Sequence, residues 1–103
     1  MNRPLIVLPE AEEELREAVR WYESRRGGLG LELLGTVERA LQRIIEAPEQ
    51  FPVWPAAPRW RRCLIERFPY SVVFEARPEG IEVIAFAHGK RRPGYWRRRL
   101  SEH

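Results

Sequence analysis

The stretch His-Gly-Lys-Arg-Arg-Pro-Gly-Tyr-Trp-Arg-Arg-Arg, running from His88 to Arg99, gathers the side chains best suited to chemistry on an anion. Lys90 to Arg99 carries six positive groups and no acid. Like charges repel, so folding alone gives no reason to concentrate them. An anionic partner, nucleic acid or acidic protein, does. His88 adds an imidazole, the side chain that can give or take a proton near neutrality. Its structural alternative is a histidine that caps a strand end through a backbone hydrogen bond. Gly89 and the Pro93-Gly94 pair interrupt regular structure, so the charges are expected on a turn, with Arg97, Arg98 and Arg99 in a short solvated turn beyond it. Arg61 and Arg62 form a second basic pair. In a strand they point to opposite faces, so at most one can share a site with Arg91.

At 103 residues and 44% hydrophobic content, the chain is expected to form one globular domain over residues 1–103. Its 32% charged residues come with four Trp, a composition unlike that of disordered chains. Charge is segregated: residues 1–58 hold seven Arg against ten Glu, and residues 59–103 hold eleven Arg and Lys against five Glu. The preference for Arg over Lys fits a GC-rich coding bias, which leaves the placement of the charge unexplained. The single cysteine, Cys63, has no partner for an internal disulfide and no ligand pattern around it, so neither a metal site nor a cofactor is expected. The N-terminus lacks an extended signal-peptide core and no segment is long and apolar enough to span a membrane; the cytoplasm is the expected compartment.

The elements that must position these groups follow from periodicity. Leu5 to Leu8 reads as a buried first strand stopped by Pro9. Ala11, Leu15, Ala18 and Tyr22 recur at helical spacing, behind an acidic first turn that suits the helix dipole. A second helix is expected from Leu29 to Ala47, stopped by Pro48 and folded back on the first. Phe51 to Pro58, with three prolines, reads as an irregular connection pinned by Trp54 and Trp60. Strands are expected over 61–68, 70–76 and 81–88. The unbroken run Val83-Ile84-Ala85-Phe86-Ala87 calls for a central strand covered on both faces. The order β-α-α-β-β-β predicts an α+β fold, an antiparallel sheet with a helical hairpin packed on one face.

Several local sequences, in this order, resemble the RelE/ParE superfamily, the toxins of type II toxin-antitoxin systems. They are Trp21-Tyr22-Glu23, Gly28-Leu29-Gly30, Ala47-Pro48 with Phe51-Pro52, Arg61-Arg62, Phe68-Pro69-Tyr70-Ser71-Val72-Val73-Phe74, and Ala87-His88 through Tyr95-Trp96. The chain is more similar to the ParE-like branch. The resemblance implies a small bacterial cytoplasmic toxin that inhibits growth, neutralised in a hetero-oligomer by an antitoxin whose partly disordered segment folds along its surface. RelE-like members cleave messenger RNA in the ribosome, whereas ParE-like members inhibit DNA gyrase.

For the ribonuclease route, attack by a ribose 2′-hydroxyl needs a proton acceptor, cations for the phosphorane-like transition state and an acid for the leaving oxygen. His88 is the candidate acid or base by its own chemistry, and the resemblance implies Arg91 and Tyr95 for the other roles. Ser71, however, stands where RelE-like nucleases carry an arginine, and a hydroxyl cannot replace a guanidinium fork. Target binding is therefore the leading expectation, with Arg61, Lys90, Arg91, Arg92, Trp96, Arg97 and Arg98 as contacts. Trp21 and Arg62 are the candidates for meeting the antitoxin. Trp21 and Tyr22 are neighbours on a helix, so one is expected in the core and the other outside.

Overall fold

Proline at the first helical position sacrifices no hydrogen bond, and Pro9 opens helix α1, Pro9–Arg25, directly after strand β1, Leu5–Val7. The computed structural model describes residues 4–102; Met1 to Arg3, part of the N-terminus read for a signal-peptide core, lie outside the described residues. Helix α2, Leu29–Glu46, packs back on α1. A single 3-10 turn at Pro48–Gln50 leads into strands β2, Val53–Trp54, β3, Ala57–Leu64, β4, Tyr70–Arg77, and β5, Gly80–His88; helix α3 is Arg97–Glu102.

The helical hairpin is fastened by the first two resembling motifs. Glu23 accepts backbone N–H bonds from Gly28 and Gly30, both at 2.9 Å, and so satisfies amide donors that every helix start leaves open. Those two bonds hold its carboxyl below the ordinary value. A side chain on Gly30 would bring its Cβ to 3.0 Å from the Val19 carbonyl oxygen, so only glycine lets the helices approach this closely.

The expected architecture is the one observed, with a richer sheet. Five strands lie in the order β1-β5-β4-β3-β2; β2 to β5 are antiparallel neighbours and β1 joins β5 in parallel. Three details differ from the sequence expectation. The first strand is an edge rather than a buried element, and Ile6 stands exposed. The proline-rich connection contains a strand, β2, paired with β3. Strand β3 ends at Leu64, not at Phe68, because Arg67 adopts φ 72° and the Ile65 N–H closes a turn on the Tyr70 carbonyl. Ile65 and Phe68 drop into the core from that turn, which made the segment read as strand.

Strand β5 is central, and Val83 to Ala87 are all buried. Opposite Val73 and Phe74 its partners are Ala85 and Val83, so Ile84 is an extra residue, a bulge. The bulge turns Ile84 and Ala85 to the same face, where they join Val73 and Ala87. On the other face Val72, Phe74, Val83 and Phe86 meet Leu33, Val37 and Ile44 of α2 and Ala11 and Ala18 of α1. The sheet thus has two cores, one beneath the helices and one beneath the chain that follows His88.

Candidate functional site

The segment after β5, residues 89–99 (the arm), is fastened to the face of the sheet that the helices leave open. Trp96 is the anchor: 6% exposed, with ring centroids 5.4 Å from Trp54 and 5.9 Å from Trp60. It was expected among the contacts for a partner. Its place instead is inside the second core, beside Val73, Ile84 and Ala87. Gly94, at φ 82°, passes so close to Trp54 that an added Cβ would lie 2.8 Å from the indole, so glycine is needed there on two counts. Among the described residues, the buried Nε1 atoms of Trp60 and Trp96 have no hydrogen-bond acceptor.

The second fastening is a carboxylate that the sequence did not single out. Glu14 of α1 accepts from the Tyr95 hydroxyl at 2.6 Å and receives both ends of the Arg99 guanidinium at 2.9 Å. The same carboxylate accepts the Phe86 backbone N–H at 3.0 Å, while Arg99 donates to the Ile84 carbonyl at 3.0 Å. These two backbone groups lie beyond the end of β1, whose chain makes its last bond to β5 from the Leu8 N–H to the Val83 carbonyl. Two side chains therefore stand in for a missing strand, and buried backbone polarity is satisfied without one. Burial, with the Glu14 hydrogen bond and charge, pushes the Tyr95 hydroxyl well above the ordinary tyrosine range. Arg99, expected in a solvated turn, is instead 15% exposed at its side chain.

Glu14 was read only as part of an acidic first turn. A signal was present: position 14 lies three residues after Ala11 and four before Ala18, on the buried stripe of α1. An acid on such a stripe needs a partner.

The other basic residues divide clearly. Arg91 stacks 3.8 Å from the Tyr95 ring centroid and lies 3.9 Å from Glu14, with its side chain still 54% exposed. Arg97 covers the Trp54 ring at 4.9 Å, and Arg97 and Arg98 are both exposed. Lys90 and Arg92 are exposed, and among the described residues their side chains have no partner. Arg61 donates to the Glu49 and Phe51 carbonyls and pins the proline-rich connection; it also lines the same arm-side hollow as Arg62 and Arg91, so both members of the basic pair reach a site shared with Arg91 where at most one was expected. Arg62 is exposed and pairs across the ladder with Val73, on the arm side of the sheet.

His88 accepts the Lys90 N–H at Nδ1, 3.0 Å away, which is the strand-end cap considered for it. In the neutral ring the proton then sits on Nε2. The structure brings His88, Arg91 and Tyr95 to one hollow of about 100 Å³ on the arm side, floored by Ser71, Val73 and Ala87. All three are already engaged: the Tyr95 hydroxyl by Glu14, the His88 Nδ1 by the turn, and Arg91 by the Tyr95 ring. On the helix side a broader cleft of about 430 Å³ opens beside Trp21, Tyr22, Tyr70 and Phe86, and His88 and Arg91 line it as well. Tyr22 packs edge-on against Phe68, whereas Trp21 is 51% exposed, the division expected for that pair.

Among the described residues, no three His, Cys, Asp or Glu side chains group as metal ligands do, and no helix is long and apolar enough to cross a membrane. Cys63 is buried, which pushes its thiol up and away from reactivity.

Comparison with known proteins agrees with this fold. A family model described as the ParE toxin of the type II toxin-antitoxin system parDE matches residues 5–93. No curated protein matches in sequence. A solved structure titled "Chromosomal ParDE TA system from P. aeruginosa" superposes with a TM-score of 0.72 at 18% identity, covering 84% of this chain and 95% of that one. Identity that low speaks for the shared fold alone.

Proposed function

This chain belongs to the ParE toxin family of type II toxin-antitoxin systems, and from that premise we propose that it is a single-domain cytoplasmic toxin that inhibits a macromolecular target by binding it. DNA gyrase is the target the resemblance favours. A cognate antitoxin neutralises the toxin in a hetero-oligomer. One observation carries the reading: Lys90, Arg91, Arg92 and Arg97 stand exposed on a segment joined to β5 at one end and locked at the other by Trp96 and the Glu14–Arg99 pair. A cationic surface held in place loses little freedom on meeting an acidic partner, so its charge goes into affinity and encounter rate.

Binding is also the use that leaves the arm's hydrogen bonds intact. A Tyr95 hydroxyl held by a carboxylate is a poor proton donor to a leaving oxygen, and Ser71 supplies no fixed positive charge for a phosphorane. The test is to induce the free protein in bacteria, map messenger RNA ends and measure DNA supercoiling. Lost gyrase supercoiling with intact transcripts is the expected outcome. Codon-phased cuts with normal supercoiling would overturn it.

A further inference from the structure

We propose that the arm-side hollow is a carboxylate pocket that receives one acidic side chain of the antitoxin. This rests on the toxin-antitoxin reading above and goes beyond it by assigning a place and a chemistry.

The charge census points there first. Most guanidinium groups are engaged with Glu carboxylates, aromatic rings or backbone carbonyls. Among the described residues, the side chains of Arg39, Arg62, Lys90 and Arg92 have no such partner. Arg39 is on α2. Arg62 and Arg92 line the hollow, and Lys90 sits on the turn between its two lining residues Gly89 and Arg91. Unpaired cations converge on one small concavity.

Size and donors then select the ligand. At about 100 Å³ the hollow takes a single side-chain group, over a floor of the small residues Ser71 and Ala87. A carboxylate has the acceptor capacity that a serine hydroxyl and two guanidinium forks require.

The aromatic rings argue against a single-stranded nucleic acid as occupant. Such ligands need open ring faces on which bases stack. Trp54 is covered by Arg97 at 4.9 Å and adjoins Trp60 and Trp96, and Tyr95 has Arg91 at 3.8 Å and Arg99 at 5.1 Å from its centroid. Those rings are already occupied by cations and by one another. An acidic peptide needs no such platform. Because the pocket shares Arg91 and Arg92 with the surface assigned to the target, a carboxylate seated there neutralises by competition.

The test uses the full chain and the antitoxin encoded beside its gene, titrated at physiological ionic strength. Arg62→Gln and Arg92→Gln are each expected to weaken the complex about tenfold or more, the scale on which removing one partner of a desolvated charge pair acts. Arg39→Gln, equally unpartnered but away from the hollow, should leave affinity unchanged. A scan of the antitoxin's acidic residues to their amides should find one whose loss is not additive with R62Q or R92Q. Undiminished affinity of R62Q and R92Q, with the unaltered chain binding well, overturns the pocket and leaves the toxin-antitoxin reading standing. Loss of target inhibition in those variants, with antitoxin affinity intact, overturns the choice of occupant. Failure of the unaltered chain to bind the antitoxin removes the premise and the inference with it.

Discussion

The two faces of the sheet are held by different physics. Under the helices, aliphatic side chains with Phe68, Phe74 and Phe86 make an apolar core in which Leu33, Ile44 and Phe74 are fully buried. Under the arm, three indoles and a carboxylate shared by Tyr95, Arg99 and the Phe86 amide make a smaller, polar-fastened one. The helix face depends on non-directional burial and tolerates small shifts. The arm face depends on a few directional bonds, so single atoms decide it. The contrast matters because the exposed charge is on the arm: the protein's stability and its proposed binding surface reside largely on opposite sides of one sheet.

Truncation should expose that asymmetry most strongly on the helix face. Phe74→Ala should cost about 3–5 kcal/mol, the usual scale for deleting a buried aromatic, read as a lower denaturant midpoint with every probe shifting together. Glu14→Gln should follow, at about 3 kcal/mol, since it leaves the Arg99 guanidinium without its counter-charge. Its signature is local: faster hydrogen exchange at the Phe86 N–H and altered Trp96 fluorescence, with the α1–α2 hairpin still protected. Equal loss of protection on both faces would show that the division into two layers is wrong.

The two faces should also fail at opposite ends of the pH scale. The Tyr95 hydroxyl is raised by burial and by Glu14, so the stability linked to its protonated form is present below the ordinary value of 10 and is lost as pH climbs above it. Alkali should loosen the arm first, with Tyr95 ionising only as it does so. The Glu23 carboxyl is lowered by its bonds from Gly28 and Gly30, so its contribution is present above the ordinary value of 4.5 and disappears as pH falls through the folded-state value. In acid, the start of α2 should fray. Glu23→Gln should remove most of that acid dependence with a smaller loss of stability than Glu14→Gln.

How much of this was legible in the sequence varied with how local the cause was. The helices were readable because periodicity and prolines are local signals, and the apolar run of β5 announced a strand covered on both faces. What covered the second face was not readable, because Trp96 sits among arginines and its burial depends on Trp54 and Trp60, far away in sequence. Strand β2 is two residues long inside a proline-rich stretch, and its existence depends on pairing rather than on propensity. Among the candidate contacts, Lys90, Arg92 and Arg62 are legible as charge, and the fold leaves all three exposed. That backbone carbonyls hold Arg61 and that Trp96 is buried was not legible, because residue type does not reveal a carbonyl or a ring waiting elsewhere in the fold. Arg99 was misplaced for want of Glu14, whose position on a buried stripe was the one available clue.

On the proposed reading, the exposed arginines of the locked arm contact the target. The most direct test of this claim is the growth arrest and gyrase inhibition caused by the Arg91→Glu, Arg92→Glu double variant, purified and matched to the unaltered protein in thermal stability. Reversal of the local field should abolish or severely reduce both effects. Undiminished arrest and undiminished inhibition by a stably folded variant would contradict the claim.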